Sequence, residues 1–444
     1  MSGSLQERFS RISAFKPVRK REPVLPNQPE NQPESNADCQ ANCQANCQDG
    51  LLARLGGQVG RNHYGEHLVY RQWYATPEMC EPSEEVLRLL LPPKCEGSER
   101  ILRCAIDLEK WLFLDTETTG ISGGTGTYAF LIGLAWWESG GLRVEQLFMR
   151  DHDEEHSILL EIANRLAERP VLVTFNGKSF DWPLLQNRFR MTRQIDVPEL
   201  AAHLDFLHPA RQLWRLQIGP TRLGDLERNV LGEESLGWSR REDIDSARIP
   251  EFYFDFLRTG AVDGISGVFQ HNRMDLRGLA ALGARIFRML AEPEDARISP
   301  LEFYGMSQLV ARRGQCSKAR KLYERSLAAG LPAPVARKAR HEAARLAKRE
   351  RDFGRAIELW NELAGSVEPS LEALEQLALH HERRERDYDE AARITRCALG
   401  ELRKASRLGL IGPERHAQVS QRLKKRLIRV QSRADRLKSP GRLV

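Results

Sequence analysis

Residues 101–290 alternate apolar runs with amphipathic segments, and this alternation limits the fold more than any other feature of the chain. A Glu-Ser-Gly-Gly stretch between two of the apolar runs is typical of a hairpin. Helical periodicity predicts helices at residues 155–168 and 180–190, and an Ala/Leu-rich segment predicts a closing helix at 274–290. Hairpin-linked strands followed by helix, strand and helix predict an α/β fold with a mixed sheet and flanking helices. The apolar runs predict strands at residues 111–114, 128–137, 143–149 and 171–175.

The remaining chain divides by composition. Residues 1–50 are poor in apolar side chains and rich in Gln, Asn, Pro, Ser and charge, so they cannot bury enough surface to order themselves. Residues 51–104 mix short apolar groups with Gly and Pro. We therefore expect a disordered N-terminal segment at 1–50, an adaptor at 51–104 and the α/β domain at 105–290.

Residues 299–400 contain an internal repeat. The alanines Ala319, Ala356 and Ala391 occupy similar local frames and lie 37 and 35 residues apart. Paired helices with a period of about 34 residues resemble tetratricopeptide repeats. The repeat predicts an all-α, tetratricopeptide-like domain, and a generic helical bundle is the alternative.

The net charge of +6 is unevenly distributed along the 444 residues. The C-terminal segment 401–444 contains 13 Lys and Arg and three acids, which gives it a charge of +10 and leaves −4 for residues 1–400. A basic tail suits salt-sensitive, sequence-independent contacts with nucleic-acid phosphates. The alternative is a solvated last helix that caps the repeats. We see no base-reading motif, so sequence-specific DNA recognition is not expected.

The length of the longest apolar stretch and the pattern of cysteines predict the cellular compartment. The longest dense apolar stretch, 129–137, is too short for a bilayer span of about 20 residues, and residues 1–23 lack the apolar run of a secretory signal. We expect a cytoplasmic protein, no membrane contact, and eight cysteines present as thiols. Cys39, Cys43 and Cys47 form a tandem C-x3-C-x3-C run, which we interpret as a low-complexity insertion, with a metal or iron–sulfur site as the alternative.

Paired acids follow the first predicted strand. Asp115 and Glu117 are separated by one residue, so on an extended chain both side chains point to the same side. The two carboxylates would repel each other unless a cation lay between them, and a hard divalent ion with oxygen ligands meets that need. A polar turn that ends a strand is the alternative for an isolated Asp-x-Glu.

Two further motifs contain acids. Asp181 stands at the start of a predicted helix, where an acid is favoured by the helix dipole alone. His271 and Asp275 are four residues apart, so on a helix they share a face. By itself, such a pair is more often a local hydrogen bond than a catalytic site.

In this order the motifs resemble those of the DEDD superfamily of 3′–5′ exonucleases, which has a ribonuclease H-like fold. The elements are Asp-x-Glu at the first strand, Asn-x3-Phe-Asp at 176–181, and a ring-bearing residue four before Asp275. Residues 126–133, 176–183 and 203–208 resemble the YprB-like ribonuclease H-like proteins, a branch that often carries C-terminal tetratricopeptide-like repeats. The resemblance covers about residues 105–290.

The resemblance implies a metal-dependent 3′–5′ exonuclease that acts by a two-metal mechanism on single-stranded or 3′-overhanging nucleic acid, either DNA or RNA. Two Mg²⁺ or Mn²⁺ ions would stabilise the attacking and leaving oxygens. His271 is the candidate general base, although the superfamily normally has a His five residues, or a Tyr four residues, before its last Asp. The implied metal ligands and catalytic carboxylates are Asp115, Glu117, Asp181 and Asp275.

Other residues near these motifs are candidates for substrate binding, namely Thr118, Asn176, Lys178 and Phe180. Asp205 is either a structural or supporting residue of the site, or a cap of the next helix. Two alternatives to the enzyme stay open. One is a catalytically weak nucleic-acid-binding module, and the other is a scaffold whose repeats recruit a protein partner.

Overall fold

A computed structural model describes residues 56–75, 81–91, 98–120, 126–295 and 297–438. The segment 1–50 expected to be disordered, with its Cys39, Cys43 and Cys47 run, lies outside these residues. The described strands are β1 (Gln58–Asn62), β2 (Gly65–Ala75), β3 (Trp111–Thr118), β4 (Ala129–Glu138), β5 (Gly141–Phe148), β6 (Val171–Thr174) and β7 (Ala202–Asp205).

These strands form one mixed sheet in the order β1-β2-β5-β4-β3-β6-β7. The pairs β3–β6 and β6–β7 are parallel, and the other neighbours are antiparallel. The predicted hairpin joins β4 to β5 through Gly140, whose φ of 76° favours glycine. The region expected to be an adaptor supplies β1 and β2, and β2 pairs with β5, so the sheet extends through it.

Helices cover both faces of this sheet. The helix predicted at 155–168 is observed with those bounds, and the one predicted at 180–190 spans 181–192. The closing helix begins at Val262 rather than at residue 274, because Ile265, Val268 and Phe269 already pack into the core. The helices of seven or more residues in this part are α1 (Glu84–Leu90), α2 (Ser98–Ile106), α3 (Glu155–Glu168), α4 (Asp181–Thr192), α5 (Leu207–Ile218), α6 (Ile249–Thr259) and α7 (Val262–Ala291).

The side chains of β3 alternate between two cores. Trp111 and Phe113 pack on one face, and the Trp111 ring lies 5.4 Å from that of Phe287 on α7. Leu112 and Leu114 pack on the other face, beneath α3 and α4. A strand buried on both faces reads as a continuous apolar run, as residues 111–114 of β3 do. Asp115 and Glu117 continue the face of Trp111 and Phe113, so the acids are directed to the side that α7 crosses.

A run of helices follows the sheet domain. Ala319, Ala356 and Ala391 are fully buried, each on the second helix of a consecutive pair. The structure contains the predicted run of helices, whereas the assignment of these helices to the tetratricopeptide class stays a prediction. Its members are α8 (Pro300–Arg312), α9 (Cys316–Ala328), α10 (Ala333–Arg349), α11 (Phe353–Ala364), α12 (Leu371–His380), α13 (Tyr388–Arg407) and α14 (Pro413–Lys438).

The first of these helices packs directly against the sheet domain. A Cβ at Gly305 of α8 would lie 2.8 Å from Leu213 Cα of α5, so the two backbones approach closely. Beside this crossing, Trp214 Nε1 donates a hydrogen bond of 2.8 Å to Glu302 Oε1. The helical run is therefore anchored to the sheet domain by both packing and a buried hydrogen bond.

Helix α14 carries much of the basic C-terminal charge. Arg429 forms an ion pair of 2.7 Å with the buried Glu382, and Arg422 forms one of 2.7 Å with Glu375. Part of the positive charge is therefore neutralised within the fold, although Lys424 is exposed. None of the helices in the described ranges is long and apolar enough to span a membrane.

Candidate metal centre

Asp115 and Glu117 lie near the end of β3, where Glu117 is buried and Asp115 is half-buried. Burial raises the pKa of Asp115 well above its usual range, and the negative charges of Asp275 and Glu117 add to this. Burial also raises the pKa of Glu117, whose carboxylate faces the charges of Asp275 and Asp181. In the described part of the chain neither residue forms an ion pair with Lys or Arg. Buried carboxylates without a positive partner are costly, so this pair is suited to a cation.

Asp181 is the first residue of α4 and is held against β3. Thr116 Oγ1 donates a hydrogen bond of 2.5 Å to Asp181 Oδ1. Burial raises the pKa of Asp181, and the hydrogen bond from Thr116 partly opposes that effect. Thr116 therefore joins the second acidic motif to the first.

His271 and Asp275 lie one turn apart on α7, as their spacing predicts. His271 Nε2 is 3.5 Å from Asp275 Oδ2. One ligand atom from each of Glu117, His271 and Asp275 lies within 4.8 Å of the others, a spacing that could hold a metal ion. The two carboxylates of this group are oxygen donors, which hard divalent cations prefer, and the His271 imidazole is a nitrogen donor.

Asn272 of α7 orients Asp115 through a side-chain hydrogen bond. Its Nδ2 donates a hydrogen bond of 2.8 Å to Asp115 Oδ2, and its Oδ1 accepts one of 2.8 Å from Gln146 Nε2 of β5. Gln146 also donates to the carbonyl of Phe269 at 2.9 Å. The sequence analysis did not identify Asn272 or Gln146, although Asn272 directly follows His271 in the motif.

Gly133 on β4 has no side chain, and the side-chain amide of Asn272 occupies the space that a Cβ would need. A substitution at Gly133 therefore gives a first prediction. A Cβ at Gly133 would lie 2.2 Å from Asn272 Oδ1, so Gly133→Ala must displace Asn272 or the strand. We expect a loss of about 1–3 kcal/mol in the free energy of unfolding, as for other overpacked cores. Gly400→Ala is the matched control, because a Cβ there meets no heavy atom within 4 Å. Equal chemical-denaturation midpoints for the two variants would contradict this packing.

Arg240 is the centre of a second hydrogen-bond network, which includes Asp275 of α7. Its guanidinium donates to Glu227 at 2.6 and 2.7 Å, to Asp243 at 2.9 Å, and also to Asp275. A Cβ at Gly278 would lie 1.9 Å from Glu227 Oε1, so this glycine admits the Glu227 side chain. Arg240 thus supplies a positive charge to one side of the acidic cluster. It lies 35 residues before Asp275, so no local spacing in the sequence points to it.

Asp243 fixes the ring of His271. Both carboxylate oxygens of Asp243 lie 2.9 Å from His271 Nδ1. Burial lowers the pKa of His271, but the hydrogen bond with Asp243 and the negative charge of Asp275 outweigh it, so the pKa lies above its usual value. Because Nδ1 is engaged by Asp243, Nε2 is the nitrogen that faces the acidic cluster.

The loop between β6 and α4 carries three of the substrate-binding candidates. Asp205 accepts hydrogen bonds from the backbone N–H groups of Asn176 at 2.8 Å and Lys178 at 3.0 Å. It also accepts one of 3.1 Å from Leu207 N at the start of α5, so it both shapes the loop and caps a helix. Asn176 has a φ of 70°, a conformation that Asn adopts more readily than most residues.

The candidate side chains on this loop are open to solvent. Lys178 is exposed, and Phe180 is 56% exposed immediately before Asp181. Thr118, the fourth candidate, ends β3 and donates a hydrogen bond of 3.0 Å to the Gly120 carbonyl. The binding roles of all four residues stay predictions.

This sheet order and acidic cluster agree with the family comparison, in which residues 112–286 match the RNase H superfamily. Residues 112–286 therefore form an RNase H-like domain, with a mixed sheet and flanking helices, and a run of helices follows it. The uncharacterized protein YprB of Bacillus subtilis strain 168 is 29% identical over 293 residues, which is 65% of this chain and 69% of that protein. The predicted resemblance to the YprB-like ribonuclease H-like proteins is confirmed.

Among solved structures, the family B DNA polymerase of the hyperthermophilic archaeon Pyrobaculum calidifontis is similar to 47% of this chain. The TM-score is 0.34 and the sequence identity is 14%. The chain spans 29% of the length of that polymerase chain.

Proposed function

We propose that this protein is a metal-dependent 3′–5′ exonuclease that hydrolyses the phosphodiester bonds of single-stranded or 3′-overhanging nucleic acid. The observation that carries the proposal is the convergence of the carboxylates of Asp115 and Glu117, which form no ion pair with Lys or Arg in the described residues, with Asp275 and His271. The RNase H superfamily match supports a nuclease. The 3′–5′ direction comes from the resemblance of the motifs to the DEDD exonucleases.

Asp115, Glu117, Asp181 and Asp275 would hold Mg²⁺ or Mn²⁺. A pair of such ions, when bound, would stabilise negative charge on the attacking and leaving oxygens of the phosphodiester. The protein fixes two of the four carboxylates in advance, because Asn272 holds Asp115 and Thr116 holds Asp181. Such pre-positioning reduces the reorganisation needed when the substrate arrives.

His271 would accept a proton from the attacking water through Nε2. Its other nitrogen, Nδ1, lies 2.9 Å from Asp243, so that carboxylate orients the ring and stabilises the protonated imidazole. The spacing of four residues from Asp275, normally that of a Tyr in the superfamily, still places Nε2 3.5 Å from Asp275 Oδ2. The helix therefore brings the ring to the carboxylates despite the unusual spacing.

A substitution at His271 tests this role. We expect His271→Ala to lower the single-turnover rate by about 10²-fold, within the range for loss of a general base. The wild-type rate should rise with pH through a pKa above about 6.5, because the base is active when neutral and its pKa is raised. His208→Ala, at an exposed position on α5, should keep both rate and pH profile. The same pH profile in His271→Ala would exclude His271 as the base.

The loop candidates would guide the strand to the carboxylates. Phe180 exposes an aromatic ring suited to stacking on a base, and Lys178 places a positive charge two residues away. Asn176 and Thr118 would offer polar contacts to the strand. These roles are consistent with recognition that is tolerant of sequence.

The direction of hydrolysis is tested with end-labelled oligonucleotides. Single-stranded DNA and RNA labelled at the 5′ end should give a ladder of shortened products in Mg²⁺ or Mn²⁺, and a blocked 3′ end should slow the reaction strongly. Cleavage of circular single-stranded DNA would instead indicate an endonuclease. The comparison of DNA with RNA also determines the sugar preference, because only RNA offers the 2′-hydroxyl.

A second candidate function is nucleic-acid binding with weak or no turnover. The ion pair between Arg240 and Asp275 favours it, because one candidate metal ligand already has a cationic partner. The repeats would in addition recruit a protein partner. Tight oligonucleotide binding without metal-dependent cleavage would support this candidate.

We also propose a reducing, cytoplasmic setting. Cys104, Cys316 and Cys397 are free thiols among the described residues. Such thiols agree with a reducing compartment.

A further inference from the structure

A separate cavity of about 460 Å³ lies beside the C-terminal half of α7. Its lining on α7 begins at Arg277, two residues beyond Asp275, and includes Ala284, nine residues beyond Asp275 and so roughly 13 Å along the helix. It also includes Trp137, which stands four residues along β4 from Gly133, the residue paired with Asp115. The cavity therefore extends away from the carboxylates along both elements. Its volume is within the range of about 300–1,000 Å³ that is typical of small-molecule sites.

The lining is positively charged. Four of the residues around the cavity are arginines, and no carboxylate residue lines it. Glu302 forms an ion pair of 3.3 Å with Arg285, and Asp295 forms one of 2.8 Å with Arg297, so part of this charge is neutralised. Arg285 Nε is buried without a hydrogen-bond partner in the described residues. Guanidinium groups around a concave site concentrate positive potential and favour an anion. The four are Arg277, Arg285, Arg288 and Arg297.

Arg277 is the most distinctive of the four. Its guanidinium lies over two aromatic rings, 4.1 Å from the centre of the Tyr74 ring and 4.0 Å from that of Trp238. Within the described ranges no carboxylate forms an ion pair with it. The rings thus hold the guanidinium in place and leave its hydrogen-bonding edge without an anionic partner. A planar guanidinium of this kind is suited to bidentate bonds with phosphate oxygens.

The other walls suit a flat apolar group. Trp137 and Trp238 contribute aromatic surface. The small side chains of Ala280, Ala281 and Ala284 line the cavity along α7. Aromatic side chains stack on nucleobases, and that stacking is tolerant of base identity. Guanidinium groups and aromatic walls in one cavity match a ligand that has both a phosphate and a planar ring.

We propose that this cavity binds a phosphorylated nucleoside, with its phosphate on Arg277 and its base against the tryptophans. The ligand is either a free mononucleotide or one nucleotide unit of a nucleic-acid strand, which share this chemistry. Binding does not depend on the proposed nuclease activity, because the site uses none of the carboxylates and needs no metal. It therefore can be measured with divalent ions chelated.

The test uses the full-length protein in EDTA, titrated with adenosine monophosphate, adenosine and inorganic phosphate. Calorimetry gives the affinity, and tryptophan fluorescence, to which Trp137 and Trp238 contribute, gives a second readout. Adenosine monophosphate should bind at least about tenfold more tightly than either fragment, and Arg277→Gln should weaken it by about tenfold or more. Arg211→Gln is the matched control, because Arg211 is exposed on α5. Competition by a 5′-phosphorylated oligonucleotide distinguishes a strand nucleotide from a free one.

Two further variants keep the result decisive. Ala284→Leu fills the cavity without changing its charge and should also weaken binding, with an unchanged melting temperature as the check on folding. Asp115→Asn should bind adenosine monophosphate like the wild type, even if the nuclease assignment fails. Wild-type affinity in both Arg277→Gln and Ala284→Leu, or equal affinity for phosphate and adenosine monophosphate, would overturn the proposal.

Discussion

Replacing Asp115 by asparagine should lower the rate of nucleic-acid hydrolysis by about 10³-fold or more. The amide keeps the size of the side chain but removes the negative charge that would bind a divalent ion. A metal ion contributes several kcal/mol of charge stabilisation to the transition state, and each 1.36 kcal/mol corresponds to a tenfold change in rate. Single-turnover digestion of an end-labelled oligonucleotide at saturating Mn²⁺ measures this loss.

The control for Asp115→Asn makes the same chemical change elsewhere. Asp196 is exposed and distant in sequence from the acidic motifs, so Asp196→Asn should retain the wild-type rate within about twofold. Thermal melting of both variants checks that the fold is intact. A rate for Asp115→Asn within tenfold of that of the control would remove Asp115 from the catalytic site.

Replacing Glu117 by glutamine should change stability in opposite directions with and without metal. In EDTA the variant should be more stable than the wild type, because Glu117 is buried beside the negative charges of Asp275 and Asp181. A saturating divalent ion should stabilise the wild type by about 2.7 kcal/mol at a concentration of 100 Kd, and the variant far less. Calorimetric melting in EDTA and in Mn²⁺ measures both differences.

The pH dependence of this difference has a defined sign. A carboxyl whose pKa is raised on folding contributes stability below its unfolded pKa and loses that contribution as pH rises through its folded pKa. The advantage of Glu117→Gln over the wild type in EDTA should therefore grow as pH rises from about 4.5, the usual value for Glu. Glu242→Gln makes the same chemical change at an exposed position and serves as the control. Melting of Glu117→Gln below the wild type at every pH in EDTA would contradict the repulsion. An equal stabilisation of the two proteins by Mn²⁺ would contradict the role of Glu117 as a metal ligand.

The parts of the fold that follow local patterns could be predicted from the sequence. Strand β4 is buried over nearly its whole length and reads as an apolar run, and Gly140 marks the turn into β5. Asp115 and Glu117 could be placed together because side chains two apart share a face of a strand. His271 and Asp275 could be placed together because they are one turn apart on α7.

The parts that depend on distant contacts could not be predicted. The Arg-Arg-Glu-Asp sequence around Arg240 has the composition of a surface loop, yet the Arg240 side chain is only 10% exposed. Its partners Glu227, Asp243 and Asp275 lie up to 35 residues away, without a shared period. Strand β1 has mostly polar residues, and it is recognisable as a strand only through its pairing with β2.

Net charge was a similarly incomplete guide to the C-terminal segment. Its excess of basic residues predicted a surface for phosphates, but Arg422 and Arg429 each pair with an acid 47 residues earlier, on the preceding helices. Those acids, Glu375 and Glu382, are outside the segment whose charge was counted. The sequence locates charge along the chain, whereas the fold determines how much of it stays available.

The central claim is that the carboxylates around Asp115 hold divalent ions for phosphodiester hydrolysis. The most direct test is the digestion of 5′-labelled single-stranded DNA and RNA by the wild type and Asp115→Asn, across a titration of Mn²⁺. We predict a 3′-to-5′ ladder that requires the ion in the wild type and is lost in the variant. Equal digestion by the two proteins, or no digestion by the wild type at any Mn²⁺ concentration, would contradict the claim.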